Sequence, residues 1–156
     1  MSSFEVRPAR DDDRRGMAEV FAAVAEERDA IATEPPVDVE ARAASWNLDG
    51  TFVAVAGGDV VGSIHVQPNR HRFGDVGMAI VREWRSRGVG SALMEAAIAW
   101  ARGHGLHKLC LGVFPHNAAG IALYRKYGFV DEGLRVKQIR RQSGELWDVL
   151  EMGLLL

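Results

Sequence analysis

The clearest chemistry in this chain lies in seven consecutive residues, Arg85-Ser86-Arg87-Gly88-Val89-Gly90-Ser91. A strand-like run, Asp75 to Val81, leads into them, and a long apolar helical pattern, Ala92 to Arg102, follows. A strand, a basic glycine loop and a helix N-terminus together make a cradle for an anion, because unbonded amides and the positive end of the helix dipole face the loop. Gly88 and Gly90 carry no Cβ, so an anion can approach the backbone closely. No proline interrupts the segment, so every amide in it can donate. Two familiar phosphate loops are excluded. There is no Gly-x-x-x-x-Gly-Lys-Ser/Thr, and Gly88-Val89-Gly90-Ser91-Ala92-Leu93 lacks the third glycine of the dinucleotide fingerprint.

A second motif stands downstream: Asn117, Tyr124 seven residues on, then Gly128-Phe129. With Arg85-x-x-Gly88-x-Gly90 in front of it, this resembles the paired signatures of the GNAT superfamily, the acetyl-CoA-dependent N-acyltransferases. The likeness covers Thr51 to the C-terminus well and the residues before it loosely. It implies that the loop amides of Ser86, Arg87, Gly88, Val89, Gly90 and Ser91, introduced by Arg85, hold the pyrophosphate of acetyl-CoA. It also implies that the fourth strand, at Met78, Ala79 and Ile80, pairs with the pantetheine arm as an added strand would, and that an amide there polarises the thioester carbonyl. Tyr124 matches the tyrosine beside the CoA sulfur. A phenol stays protonated at neutral pH and can donate to a departing thiolate. Asn117 matches a cofactor contact and is equally a good helix N-cap.

The general base is less clearly written. An ammonium acceptor must lose a proton before it attacks. One branch of the resembled family, the ribosomal-protein acetyltransferases, carries a glutamate on the fifth strand five residues before the asparagine. That position here is Gly112, which speaks against an N-terminal-acetylating enzyme of that type. Asp75, opening the fourth strand, could serve through a water. Glu34, in the loop between the first two helices, could bind a substrate ammonium. His71 and His116 titrate in a useful range. For each of these four a solvated surface role is the competing reading. The tail Gly144 to Met152 sets acids among apolar residues, and strand alternation predicts Glu145 and Trp147 on one face with Leu146 and Asp148 on the other.

The elements that must hold these residues follow from periodicity and breakers. Phe4 to Arg7 alternates as a strand. Asp11, Asp12 and Asp13 offer N-caps for a helix to about Arg28, whose Met17, Val20, Phe21 and Val24 form one apolar face. Pro35-Pro36 breaks the chain before a second helix from about Asp38 to Leu48. Thr51 to Ala56 and Val60 to Val66 form a hairpin about Gly57-Gly58-Asp59. Phe73 to Val81 is the fourth strand and His107 to Val113 the fifth, with the apolar helix between them ended by Gly103 and Gly105. Asn117 caps a fourth helix ending near Tyr127, with Gly128 as its stop. Val130 to Arg140 and Leu146 to Leu155 close the chain as a strand pair.

The order βααβββαβαββ predicts an α/β (α+β) domain: a mixed, mostly antiparallel sheet of about seven strands flanked by four helices. The resemblance adds that strands four and five splay apart to admit the cofactor. With 156 residues, all are expected in one domain. A net charge of -2 gives no global field for nucleic acid or a membrane surface. No run is long enough to span a bilayer, and the N-terminus lacks the apolar core of a signal peptide, which predicts a cytoplasmic protein. The lone Cys110 sits in an apolar run and reads as an inert buried thiol, and the histidines show no metal spacing beyond His104-x-x-His107, so no metal is expected.

The expectation is an N-acetyltransferase that moves an acetyl group from acetyl-CoA to the primary amine of a small molecule such as an amino acid, a polyamine or an amine-bearing antibiotic. A protein or peptide acetyltransferase, a silent CoA-binding sensor and a nucleotide-binding protein are the alternatives. Many members of the resembled family are homodimers, and Trp46 or Trp147 on an exposed face would fit such a pairing.

Overall fold

The computed structural model describes residues 3–156. Met1 and Ser2, which open the N-terminal run considered above for a leader, lie outside the described residues. The elements are β1 (Glu5–Pro8), α1 (Arg14–Glu26), α2 (Val39–Ser45), β2 (Thr51–Ala56), β3 (Asp59–Pro68), β4 (Phe73–Ile80), α3 (Val89–Gly103), β5 (Lys108–Val113), α4 (Ala118–Lys126), β6 (Val130–Arg140) and β7 (Leu146–Leu155). Single 3-10 turns, Asp11–Asp13 and Arg82–Trp84, precede α1 and α3. This is the expected order, and the strands form one seven-stranded sheet, β1-β2-β3-β4-β5-β7-β6. Every neighbouring pair is antiparallel except β4 with β5.

The local chemistry explains most boundaries. Gly57 and Gly58 both have positive φ, 56° and 85°, which a two-residue hairpin turn requires. The expected Asp13 cap is put to another use. Its carboxylate accepts from the Arg10 amide at 2.7 Å and from both Arg7 nitrogens at 2.7 and 3.0 Å, tying β1 to the start of α1. The second helix stops at Ser45, short of Leu48, because Trp46 is extended and Arg14 donates to the carbonyls of Ala43 and Trp46 at 3.0 and 2.8 Å. The third helix starts at Val89, inside the glycine loop, because Gly88 at φ 86° turns the chain directly into it.

The main core lies between the sheet and α3 with α4. Ile64, Val66, Leu109, Leu111, Val113, Met152 and Leu154 point from the strands onto Leu93, Met94, Ala97 and Ile121. Side-chain alternation turns Ser63 and His65 of β3 to the other face, and the β3–β4 register places Ala79, Gly77 and Asp75 beside them. On that face α1 lies against β3 and β4.

The two parallel strands hold together over only three pairs, Phe73↔Lys108, Gly74↔Leu109 and Asp75↔Cys110. Past that point β4 pairs only with β3, and β5 only with β7. The splay implied by the resemblance is therefore present, and it opens between Val76–Ile80 and Leu111–Val113.

Candidate active site

The open edge of β4 presents backbone groups to the gap. The Val81 amide donates to Val61 on β3 at 3.0 Å. Because amides alternate sides along a strand, those of Met78 and Ile80 turn away from β3 and toward β5. The Ile80 carbonyl on that side already accepts from Arg85 Nε at 3.0 Å. Met78 and Ile80 pack their side chains on the main core, while Ala79 faces the other way.

At the end of the gap stands the glycine loop. The first bond of α3 runs from the Ala92 amide to the Gly88 carbonyl at 3.1 Å, so the amides of Val89, Gly90 and Ser91 precede the helix's own ladder. Ser86 holds φ 59° beside them. A Cβ on Gly88 would meet nothing within 4 Å, so the cradle is open on that side. Gly90 is different. A Cβ there would stand 2.9 Å from Leu123 Cδ2, so its glycine serves the contact with α4 rather than the approach of an anion.

The arginines of the loop divide the work. Arg85 does not offer a free guanidinium to a phosphate. It grips Glu27 at the end of α1 with two bonds of 2.7 and 2.6 Å, and Arg82 adds a third at 3.1 Å. The Arg85 hydrogen bonds hold the Glu27 carboxyl below its usual range, against the opposing effect of burial. Arg87 lies with its guanidinium carbon 4.9 Å from the Trp84 ring centre. A cation missing from the sequence reading, Lys126, reaches the cradle from the last turn of α4, its Nζ 3.1 Å from Ser91 Oγ. Tyr127 donates to the Ser91 carbonyl at 3.2 Å, which joins the end of α4 to the start of α3.

Tyr124 sits on α4 between these contacts, half-buried, with its ring 5.8 Å from that of Phe129. Burial pushes its phenol above the usual value of 10, so it is a donor throughout the neutral range. Asn117 is engaged as the N-cap of α4, its Oδ1 accepting from the Gly120 amide at 3.0 Å.

On the sheet face away from α3, Asp75 is exposed and stands at the last β4–β5 pair, where the strands part. Cys110 lies opposite it, only half-buried, and burial holds its thiol above the usual range. Gly112 has a reason to be glycine: a Cβ there would meet Val149 Cγ1 at 2.9 Å, so a strand-five glutamate would require Val149 to shift. Across the register Glu151 pairs with Arg135 at 2.8 Å.

Glu34 is not a free carboxylate for a substrate ammonium. It accepts from the Gln142 amide at 2.7 Å and lies 3.5 and 3.6 Å from Arg28 and Arg141, tying the α1–α2 loop to the β6–β7 turn. Sequence reading passed over Arg141, the buried centre of that tie, which donates to the carbonyls of Ile31, Ala32 and Arg28 and stacks 4.2 Å over Trp147. Nothing in a lone turn arginine signals such a role. His116 is held by Asp29 at 3.0 Å, and His71 accepts from Arg70. Glu145 and Trp147 do share a face, with Trp147 Nε1 donating to Glu145. Both tryptophans considered for a dimer are engaged within the chain: Trp46 against Phe21, and Trp147 against Phe114 and His116. Among the described residues there is no cluster of three metal-ligating side chains, and no helix is long and apolar enough to cross a membrane.

Comparison with known proteins gives a consistent result. The model of the acetyltransferase (GNAT) family matches residues 17–129. An L-amino acid N-acetyltransferase of Escherichia coli (strain K12) is 38% identical over 109 residues, 65% of this chain and 65% of that protein. This match therefore spans just under two thirds of that relative's length. An L-methionine sulfoximine/L-methionine sulfone acetyltransferase of Pseudomonas paraeruginosa is 30% identical over 165 residues, 99% of this chain and 95% of that protein. Among solved structures, a ribosomal-protein-alanine N-acetyltransferase from Brucella melitensis superposes with a TM-score of 0.88 at 29% identity, covering 97% of this chain and 99% of that one.

Proposed function

The chain belongs to the GNAT acetyltransferase family, and on that premise we propose that it transfers the acetyl group of acetyl-CoA to the primary amine of a small, amino-acid-like molecule. The observation that carries this reading is the parting of β4 and β5 after Asp75↔Cys110, with the Met78 amide turned into the gap. The named small-molecule relatives act on amino acids or their analogues. The similarity to them supports such an acceptor for this chain ahead of a polyamine or an aminoglycoside.

The cradle suits a pyrophosphate. The amides of Ser86, Arg87, Gly88, Val89, Gly90 and Ser91, with Lys126 beside Ser91, would hold it at the α3 N-terminus. The pantetheine arm would extend along Met78, Ala79 and Ile80, close to Asn117 and Tyr124. Acetyl-CoA supplies an activated acyl group. The residues of the chain do the rest. Met78 N–H donates to the thioester oxygen as charge builds there. Asp75, through a water, takes the proton that the ammonium must lose. The new N–C bond forms as the C–S bond breaks, and Tyr124 protonates the departing sulfur.

A peptide acetyltransferase is the nearer rival, and the Brucella similarity keeps it in view. Gly112 weighs against it, since Val149 occupies the space that a strand-five glutamate would need. A cytoplasmic location belongs to this reading. So does a homodimer, for which the exposed Leu134 and Val136 of the edge strand β6 offer apolar surface.

The test is product identification. Incubation with acetyl-CoA and a mixture of L-amino acids should yield N-acetylated amino acids, with ATP failing to displace acetyl-CoA from the protein. Acetyl-CoA binding without any acetylated amine would point to a silent sensor.

A further inference from the structure

A cavity of about 280 Å³ lies on the sheet face away from α3, between the end of α2 and β3. Its walls include Arg42, Ser45, Asn47, His65 and Gln67, and no Asp or Glu. Arg42 is held flat over Phe21, its guanidinium carbon 3.8 Å from that ring centre and 5.0 Å from the Trp46 ring. Its Nε is buried and has no hydrogen-bond partner. Among the described residues no carboxylate pairs with this guanidinium. A half-buried cation packed on two aromatic rings and facing a cavity without a counter-ion is unusual, because desolvation without pairing is costly.

His65 lies on the same wall and has no hydrogen-bond partner among the described residues. Its ring lies over the Cα of Gly77, where any Cβ would collide with it. Gly77 immediately precedes Met78 on the open edge of β4. The imidazole therefore stands between the cavity and the gap where acetyl transfer is proposed. Burial holds His65 below its usual range, and the Arg42 charge adds to this. The ring is thus neutral at neutral pH and offers one N–H.

We infer that Arg42 and His65 form an oxyanion subsite of the acceptor pocket, taking a carboxylate or similar monoanion on the acceptor. The inference rests on the proposed acetyltransferase reading and narrows its substrate class to acceptors that carry such an anion. One guanidinium with neutral Ser45, Asn47 and Gln67 around it matches a single negative charge better than a dianionic phosphate. Neighbouring strands lie about 4.8 Å apart. An anion held over β3 thus sits roughly one to two strand spacings from an amine in the β4–β5 gap, the scale of an amino acid with its side chain. A polyamine, bringing a second cation beside Arg42, is disfavoured.

The test measures binding with CoA present, so that no transfer occurs. The probes are L-methionine against L-methioninamide, for an α-carboxylate, and L-glutamate against L-glutamine, for a side-chain carboxylate. Wild-type protein should bind one anionic probe at least about tenfold more tightly than its neutral partner, the scale of one charge-assisted hydrogen bond. Arg42→Gln should erase that preference, Arg42→Lys should keep part of it, and CoA affinity should not move. In wild-type protein the Arg42 Nε–H NMR signal should shift with the anionic probe and stay still with the neutral one, a readout that survives if Arg42→Gln fails to fold. Equal binding of each pair, an unmoved Nε–H signal, or a preference that persists in a folded Arg42→Gln overturns the subsite. Absence of acetyl transfer to any amine would count against the proposed function alone, since these binding readouts do not depend on turnover.

Discussion

A Cβ on Gly90 would stand 2.9 Å from Leu123 Cδ2, so the glycine loop packs on α4 one residue before Tyr124. The two sequence motifs are thus one packed unit. Gly90→Val, too bulky for the flexible end of Leu123 simply to swing clear, should push α4 aside, at a cost of about 1–3 kcal/mol. Thermal unfolding should show a lowered midpoint, with a raised KM for acetyl-CoA. A wild-type midpoint and KM would mean that α4 yields without consequence.

Tyr124→Phe removes the proposed proton donor and little else. Turnover should fall by about 100-fold or more, with acetyl-CoA affinity almost unchanged. Burial raises the phenol's pKa, so its acid form persists up to at least pH 10. Any loss of rate at lower pH therefore comes from another group, and the wild-type profile should show no tyrosine limb below that point. Equal rates for the two proteins would return Tyr124 to a packing role.

Glu27 links α1 to the loop through Arg85 and Arg82. Its carboxyl is depressed in the folded protein. Its contribution is therefore complete above the unfolded value of about 4.3 and is lost as pH falls through the lower folded value. Glu27→Gln should cost about 2 kcal/mol near neutrality, since Glu27 is largely buried and Arg85 less so. It should also flatten the loss of stability in acid. Denaturant midpoints measured from neutral to acid pH decide this, and parallel curves for variant and wild type would refute it.

Asp75→Asn should leave acetyl-CoA binding intact and lower kcat/KM for the amine by about 100-fold. Steady-state kinetics with the best acceptor measures this directly. A near-normal rate would require another base on the open sheet face.

Much of this was legible in the sequence because local chemistry wrote it. Gly57-Gly58, Asn117 and Gly128 mark a turn, a cap and a stop through their own backbone preferences, and the structure uses each that way. The strand and helix order followed from periodicity for the same reason. What stayed hidden depends on partners far away in the chain. Arg85 reads as a phosphate ligand until Glu27, 58 residues earlier, is seen to hold it. Glu34 reads as free until Gln142 and Arg141 close on it from the β6–β7 turn. Arg42 and His65 carry no local signal at all, since their meaning lies in the partners they lack.

The most direct test of the central claim is thiol release from acetyl-CoA, followed against separate panels of amino acids, polyamines, aminoglycosides and short peptides with free N-termini. Release with amino acids, matched one for one by N-acetylated product and greatly slowed in Tyr124→Phe, is the predicted result. Release with peptides alone, or none with any amine while acetyl-CoA remains bound, would contradict it.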